Sequence, residues 1–284
     1  MRAQPVALVV LVVSPLLVAP PALAQTAGGS SYGPGAAPPP SDMGAGEPSP
    51  TWTQDRTFPG TRFWKLDEGT YEVEAWWRLR KKRDQDPLHL FQLELELGLT
   101  DRIQLDLYEN VMIDENGTFF HEGNQIEARI AVDPVYGRTP LNPVIYLEWH
   151  PRHLEADRAE VRFLGGGEIL GSTLVGAVNV LYEQNVTYTA TPTGNTYVPN
   201  PEFGVTGALS YAVARQQLRI GAEGRFVLEK EEFDDPEWEK ALLLGPNLSS
   251  RLVGDRLKVY VTVLFGLTDD ARQVDSFFIL ASAW

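Results

Sequence analysis

The sequence predicts an all-β fold: a transmembrane, antiparallel, up-and-down β-barrel of about twelve strands. Three observations predict it. The chain opens with an export signal. Apolar and polar residues then alternate with period two along most of its length. The alternating runs span roughly ten to thirteen residues, against about five or six for strands of soluble sheets and about nine to eleven for a tilted strand crossing a bilayer. Closure into a barrel is what satisfies every backbone hydrogen bond in lipid.

Arg2 supplies a short basic region and Val6 to Val18 an apolar core. Ala22-Leu23-Ala24 fits a small-x-small cleavage pattern, so 1–24 reads as a signal peptide and Gln25 as the mature N-terminus. Pro15, Pro20 and Pro21 cut the apolar run below the ~20 residues of a membrane helix. Position 25 is not cysteine, so no lipid anchor is expected there. Residues 25–50 are rich in Gly, Pro and Ser and read as a disordered tether. Residues 51–69 bring Trp52, Phe58, Phe63 and Trp64 and read as a periplasmic lead-in segment where docking begins. The barrel itself is expected over 70–284.

Along the barrel, Tyr71, Val73, Ala75, Trp77 and Leu79 alternate with Glu72, Glu74, Trp76, Arg78 and Arg80. Leu218, Ile220, Ala222, Gly224, Phe226 and Leu228 alternate in the same way with charged residues. Strands are expected near 70–82, 87–98, 102–113, 119–133, 143–150, 159–166, 173–185, 202–214, 217–229, 240–252, 257–267 and 275–284. An even number returns both termini to the periplasmic side, with the long connections outside. The run GGGEILGST at 165–173 fits a turn, a barrel-corner bend or a miscount, with ten strands as the alternative. In a barrel the apolar face turns to lipid and the charged face to the lumen. A soluble sandwich or lipocalin-like barrel would reverse that. Trp64, Trp77, Trp149, Tyr182, Phe203 and Trp284 fall near strand ends, where interfacial girdles belong.

The chain ends SFFILASAW, and Phe278, Leu280 and Trp284 resemble the C-terminal membrane-insertion signal of outer-membrane barrels, with Ser282 a departure from its apolar pattern. Two stretches, LELELGLTDRIQLDLYENV at 93–111 and VTVLFGLTDDARQVDSFFILASAW at 261–284, resemble putative outer-membrane transporters of the MetA pathway of phenol degradation. The resemblance covers well under half the chain. It implies a single-chain barrel passing a small solute; the C-terminal signal implies the barrel-insertion machinery as a partner.

A formal charge of −14 argues against nucleic acid as a partner, and the absence of cysteine rules out a disulfide scaffold. No cofactor is expected and no enzyme. None of the four histidines is followed two residues later by serine, as the lipolytic outer-membrane barrels require. His150 and His153 are weak metal candidates, an incomplete ligand set. Acidic loops suit contacts with lipopolysaccharide and its divalent cations.

The informative constellation is the lumen. Glu72, Glu74, Glu94, Glu96, Asp106 and Glu127 should form an acidic wall. Arg129, Arg219, Arg225, Arg251 and Lys258 are the basic candidates, the last four on the opposite side. Hairpin geometry brings Glu74 close to Glu94 and Glu96, an unfavourable contact unless cations, water or arginines relieve it. Eight strands are filled by side chains and sixteen leave a channel, so strand number alone does not decide what twelve do. The expected function is passage of a small solute through a narrow, charge-lined lumen in the outer membrane of a Gram-negative bacterium. The alternatives are a closed structural or interaction barrel, or an outer-membrane lipid-modifying enzyme or protease.

Overall fold

The computed structural model describes residues 49–284, apart from 84, 115, 153–154, 192–193, 215–216, 231–236 and 253–255. The signal peptide and nearly all of the tether therefore lie outside the described residues. A short 3-10 turn, Thr51–Gln54, precedes the strands. The strands are β1 Tyr71–Lys81, β2 Leu88–Gly98, β3 Ile103–Ile113, β4 Phe119–Ala131, β5 Val144–His150, β6 Arg158–Leu170 and β7 Leu174–Asn185. A small hairpin, β8 Thr189–Thr191 with β9 Gly194–Thr196, follows. The last five are β10 Glu202–Ala214, β11 Leu218–Glu229, β12 Glu239–Leu252, β13 Leu257–Gly266 and β14 Val274–Ala283.

All strands except the hairpin close one antiparallel barrel, ordered β1-β14-β13-β12-β11-β10-β7-β6-β5-β4-β3-β2. That is the expected twelve. The barrel is sealed where β1 meets β14. There Tyr71 and Trp284 exchange backbone hydrogen bonds of 3.1 and 2.9 Å, and their rings stack at 5.6 Å. No described helix is long and apolar enough to cross a membrane; the crossing elements are strands.

The side-chain alternation sets the two faces. Trp77, Leu93, Phe163, Val180, Ile220 and Phe265 are exposed on the outside, the disposition of a lipid-facing wall. Phe278, Leu280 and Trp284 share that outer face, while Phe277, Ile279 and Ala281 between them are buried inward. Polar and charged residues of the opposite phase, Glu74, Glu94, Asp106, Glu127 and Thr262 among them, are almost fully buried. A soluble domain would need the reverse.

The glycine run is strand, not turn. β6 continues through it to Leu170, and the chain reverses at Gly171, whose φ of 53° suits glycine. The register irregularity lies later, between Glu168 and Leu170. The reason for glycine is room: a Cβ on Gly166 would lie 2.5 Å from the carbonyl of Gly176 and 2.9 Å from the Phe63 ring.

Connections differ between the two ends. At the end away from the termini they are 82–87, 114–118, 151–157, 186–201, 230–238 and 267–273. At the other end most are three or four residues, but 132–143, between β4 and β5, is long. It folds back on the barrel: the Leu141 carbonyl accepts from Gly166 N at 2.7 Å, and Asn142 Nδ2 donates to Gly166 O at 3.1 Å.

Residues 49–69 form a strap whose stretch 52–67 lies inside, buried or half-buried. Trp52, Phe58 and Trp64 join a buried cluster with Tyr136, Val144, Tyr146, Leu164 and Val175. Tyr136 meets Trp52 and Trp64 edge-on at 6.1 and 5.4 Å. Trp64 therefore belongs to the filled interior, not to an interfacial girdle, because its neighbours are strap and lumen residues and only 1% of it is exposed. Phe203 does sit at a strand end on the outside, packed on Tyr182 at 4.8 Å.

Candidate functional site

The interior is organised by cross-strand register. Glu72 on β1 pairs with Glu96 on β2, Glu96 with Asp106 on β3, and Asp106 with Glu127 on β4. The row does not stop there. Glu127 pairs with Glu148 on β5, Glu148 with Glu160 on β6, and Glu160 with Glu183 on β7. Glu183 then pairs with Glu202 on β10, Glu202 with Glu229 on β11, and Glu229 with Glu239 on β12. Ten of the twelve barrel strands, all but β13 and β14, contribute one acid each to the row. Because tilted strands carry the register along the barrel axis, the row climbs from the start of β1, near the termini, to the start of β12, at the long-loop end. A second pair, Glu74 with Glu94, lies just above its first step.

Like charges directly opposite each other destabilise a sheet, by roughly 0.2–1 kcal/mol a pair. Such a ladder persists only with counter-charges, and the chain supplies them. Arg56 of the strap is the most engaged. Its Nε donates to Glu74 at 3.0 Å, and its Nη2 lies 3.0 Å from Glu94 and 2.8 Å from Glu96. Its guanidinium also rests 4.4 Å above the Trp76 ring, whose Nε1 donates to Glu74 at 2.8 Å. Arg62 follows, 3.2 Å from Glu94 and 3.6 Å from Glu127, and donates to the Tyr108 hydroxyl at 2.8 Å. Burial opposes the charge on Arg62, but Glu94, Tyr108 and Glu127 more than offset it and hold its pKa well above the ordinary value. For Lys65 burial outweighs the pull of Asp67, Asp101 and Glu68 and pushes its pKa down, and its Nζ donates to the Leu66 carbonyl at 3.2 Å.

The remaining bases are placed locally. Arg129 lies within the acidic cluster, 2.6 Å from Glu127, 3.1 Å from Asp106 and 3.3 Å from Glu96. Lys258 reaches Glu72 at 2.5 Å and strap Asp55 at 3.1 Å. Arg251 pairs with the same Asp55 at 2.5 Å. Arg225 pairs with Glu202 at 2.7 Å, and Arg219 donates to the carbonyls of Ser172 and Ser210 at 2.9 and 3.1 Å. The structure thus distributes the bases among their nearest acids and carbonyls; they do not form one continuous wall facing the acids.

Opposite the acidic cluster, Glu223 accepts from strap Gly60 N at 2.8 Å and from Asn247 and Thr262. Above the strap the interior opens into a cavity of about 370 Å³ at the long-loop end. Its floor is Pro59, Gly60 and Arg62, and its rim carries Arg78, Arg158, Arg162 and Arg225 with Glu160, Glu183, Glu202 and Asp275. Arg78 grips Asp275 at 2.5 and 2.8 Å, and Arg162 pairs with Glu160. His150 is buried at the same rim; His153 lies outside the described residues. Carboxylate oxygens of Glu74, Glu94 and Glu96, and of Glu94, Asp106 and Glu127, converge to within 4.8 Å, and guanidinium groups hold both clusters together.

Sequence reasoning named the acids of β1 to β4 but not Glu148, Glu160, Glu183 or Glu202. Their signal was present: each occupies the polar phase of its strand. The strap's Arg56 and Arg62 were missed for another reason. They precede the alternating region, and nothing in their spacing says which surface they meet.

No family model matches the chain, and no curated protein matches it in sequence. Solved structures do match in fold. One is an outer-membrane channel from Pseudomonas putida F1, at TM-score 0.57 and 10% identity, covering 77% of this chain and 97% of that one. Another is the KdgM porin in complex with disordered oligogalacturonate, at TM-score 0.47 and 11% identity, covering 76% and 98%. A third is the channel DcaP of Acinetobacter baumannii, at TM-score 0.34 and 9% identity, covering 78% and 100%. At these identities the Pseudomonas match speaks to the fold: a closed transmembrane barrel of the kind that bacterial outer-membrane channels are built on.

Proposed function

We propose that this protein is an outer-membrane channel of a Gram-negative bacterium that passes a small solute through a narrow, charge-lined lumen. On this reading export follows cleavage after Ala24, the insertion machinery reads Phe278, Leu280 and Trp284, and the outer loops meet lipopolysaccharide. The observation that carries it is how the lumen is filled. Among the described residues, the one backbone–backbone hydrogen bond from the strap to a strand is Gly69 N to Gly98 O at 2.8 Å, where the strap joins β1; 49–68 are held by side chains and by their own short turns. A filler held that way can leave while the barrel stays whole.

The closed barrel is the competing reading, and one observation favours it. Trp52, Phe58 and Trp64 are almost wholly buried, and each aromatic of this kind contributes several kcal/mol at about 25 cal/mol per Å². Together they make the filled state the ground state, so the parent protein should open rarely. Planar-bilayer recording separates the readings. The parent should show infrequent, small openings, and Trp52→Ala with Trp64→Ala should raise their frequency at least tenfold. If neither protein passes current, the closed barrel replaces the channel. A changed mass of lipid A or phospholipid on expression would replace both with an enzyme.

A further inference from the structure

The acid ladder, its first station and the strap together say what the lumen binds. The first station is a cage: three carboxylates, from Glu74, Glu94 and Glu96, and the face of Trp76 surround one cation. Carboxylates with an aromatic face suit a delocalised or partly desolvated cation better than a compact hydrated metal ion. The present occupant is the guanidinium of Arg56, and it fits incompletely. Arg56 is only 8% exposed, yet its Nη1 has no hydrogen-bond partner, and Nη1 of Arg62 comes no nearer than 3.6 Å to Glu96, too far for a hydrogen bond. A group with the same chemistry, not bound to the strap backbone, could settle into the cage and satisfy every nitrogen.

The charge balance points the same way. With the strap withdrawn, Glu72, Glu74, Glu94, Glu96, Asp106 and Glu127 keep, among the described residues, only Arg129 and Lys258 as close basic partners. Farther along the ladder Arg162, Arg158 and Arg225 pair with Glu160, Glu183 and Glu202, three of the six acids there, and Arg80, Arg152 and Arg272 line the same cavity. The unbalanced charge is therefore concentrated at the station that Arg56 and Arg62 occupy.

We propose that this station is a binding site for organic cations bearing a guanidinium or primary amine, and that Arg56 and Arg62 are its tethered occupants. Resting on the channel reading, this names the class of solute: cationic, slender and carrying planar or ammonium donors.

The test uses the full chain in detergent with agmatine as probe and glutarate, of similar length and opposite charge, as control. Arg56→Ala with Arg62→Ala vacates the station. Calorimetry should show agmatine binding at least tenfold tighter to the variant than to the parent, with no binding of glutarate. Equal affinity in parent and variant, or equal binding of glutarate, overturns the proposal. Should the variant fail to insert, the cysteine-free parent offers a second route. Thr57→Cys places a thiol at a position 3% exposed within the strap. Agmatine should raise its labelling rate by a neutral methanethiosulfonate at least fivefold, and glutarate should not. A rate that agmatine leaves unchanged overturns the proposal. Neither assay reads current. A barrel that binds agmatine but never conducts loses the channel reading alone, and one that conducts without binding agmatine loses only this inference.

Discussion

Exchanging Arg56 for glutamine and exchanging Glu94 for glutamine each remove one charge from the same ion pair, but they leave different remainders. Around the pair, the buried acids Glu72, Glu74, Glu94, Glu96, Asp106 and Glu127 outnumber the bases Arg56, Arg62, Arg129 and Lys258. Removing Arg56 leaves three carboxylates facing one another without the cation that joined them. Breaking a buried pair in that way costs about 3–5 kcal/mol. Removing the Glu94 charge relieves repulsion from Glu74 as well as losing attraction to Arg56 and Arg62. The amide oxygen of glutamine still accepts from either arginine. Arg56→Gln should therefore lower the unfolding midpoint in urea by several times as much as Glu94→Gln. Equal losses would mean that the carboxylates are not crowded as their pairing indicates.

Strand β6 shows how one element serves both the wall and its contents. Its glycines let the barrel pass close to Phe63 of the strap and to the connection 132–143. Gly166→Ala adds one methyl group where the Gly176 carbonyl, the Ala177 Cα and the Phe63 ring already stand within 3 Å. Overpacking of this kind costs typically about 1–3 kcal/mol. The variant should unfold at lower temperature than the parent, and its strap should become more accessible to protease. An unchanged midpoint would mean the strap does not press on β6. This element also marks where the sequence stops speaking. Period two in Leu218–Glu229 or Ile126–Val132 states which face a residue takes, so the acids of β1 to β4 were legible, and so were the strand bounds to within a residue or two, except the end of β6, expected at 166 and found at Leu170. It does not state what a glycine makes room for, so 165–173 was ambiguous. Nor does it state what fills the inside. Trp52, Phe58 and Trp64 announced docking without naming the surface, because an irregular segment has no period from which a face can be read.

For the whole molecule, the spiral of acids means that charge selectivity and closure are set by overlapping residues. Glu94 and Glu96 hold Arg56 and Arg62 in place, and they also stand where the lumen is most negative. Glu94→Gln with Glu96→Gln should therefore move two observables in opposite senses. Losing their charges weakens the hold on the strap, so openings should become more frequent. It also removes two adjacent negative charges from a confined, low-dielectric passage, where interactions are stronger and salt screens them less than at an exposed surface. The reversal potential in a salt gradient should then shift towards zero, as cation preference falls. If the double variant opened more often but kept the parent's cation preference, selectivity would reside higher in the lumen, at the rim formed by Glu160, Glu183 and Glu202. If it lost cation preference without opening more often, the aromatic contacts of Trp52, Phe58 and Trp64 would be what keeps the lumen filled, and the ion pairs would serve only to choose the solute.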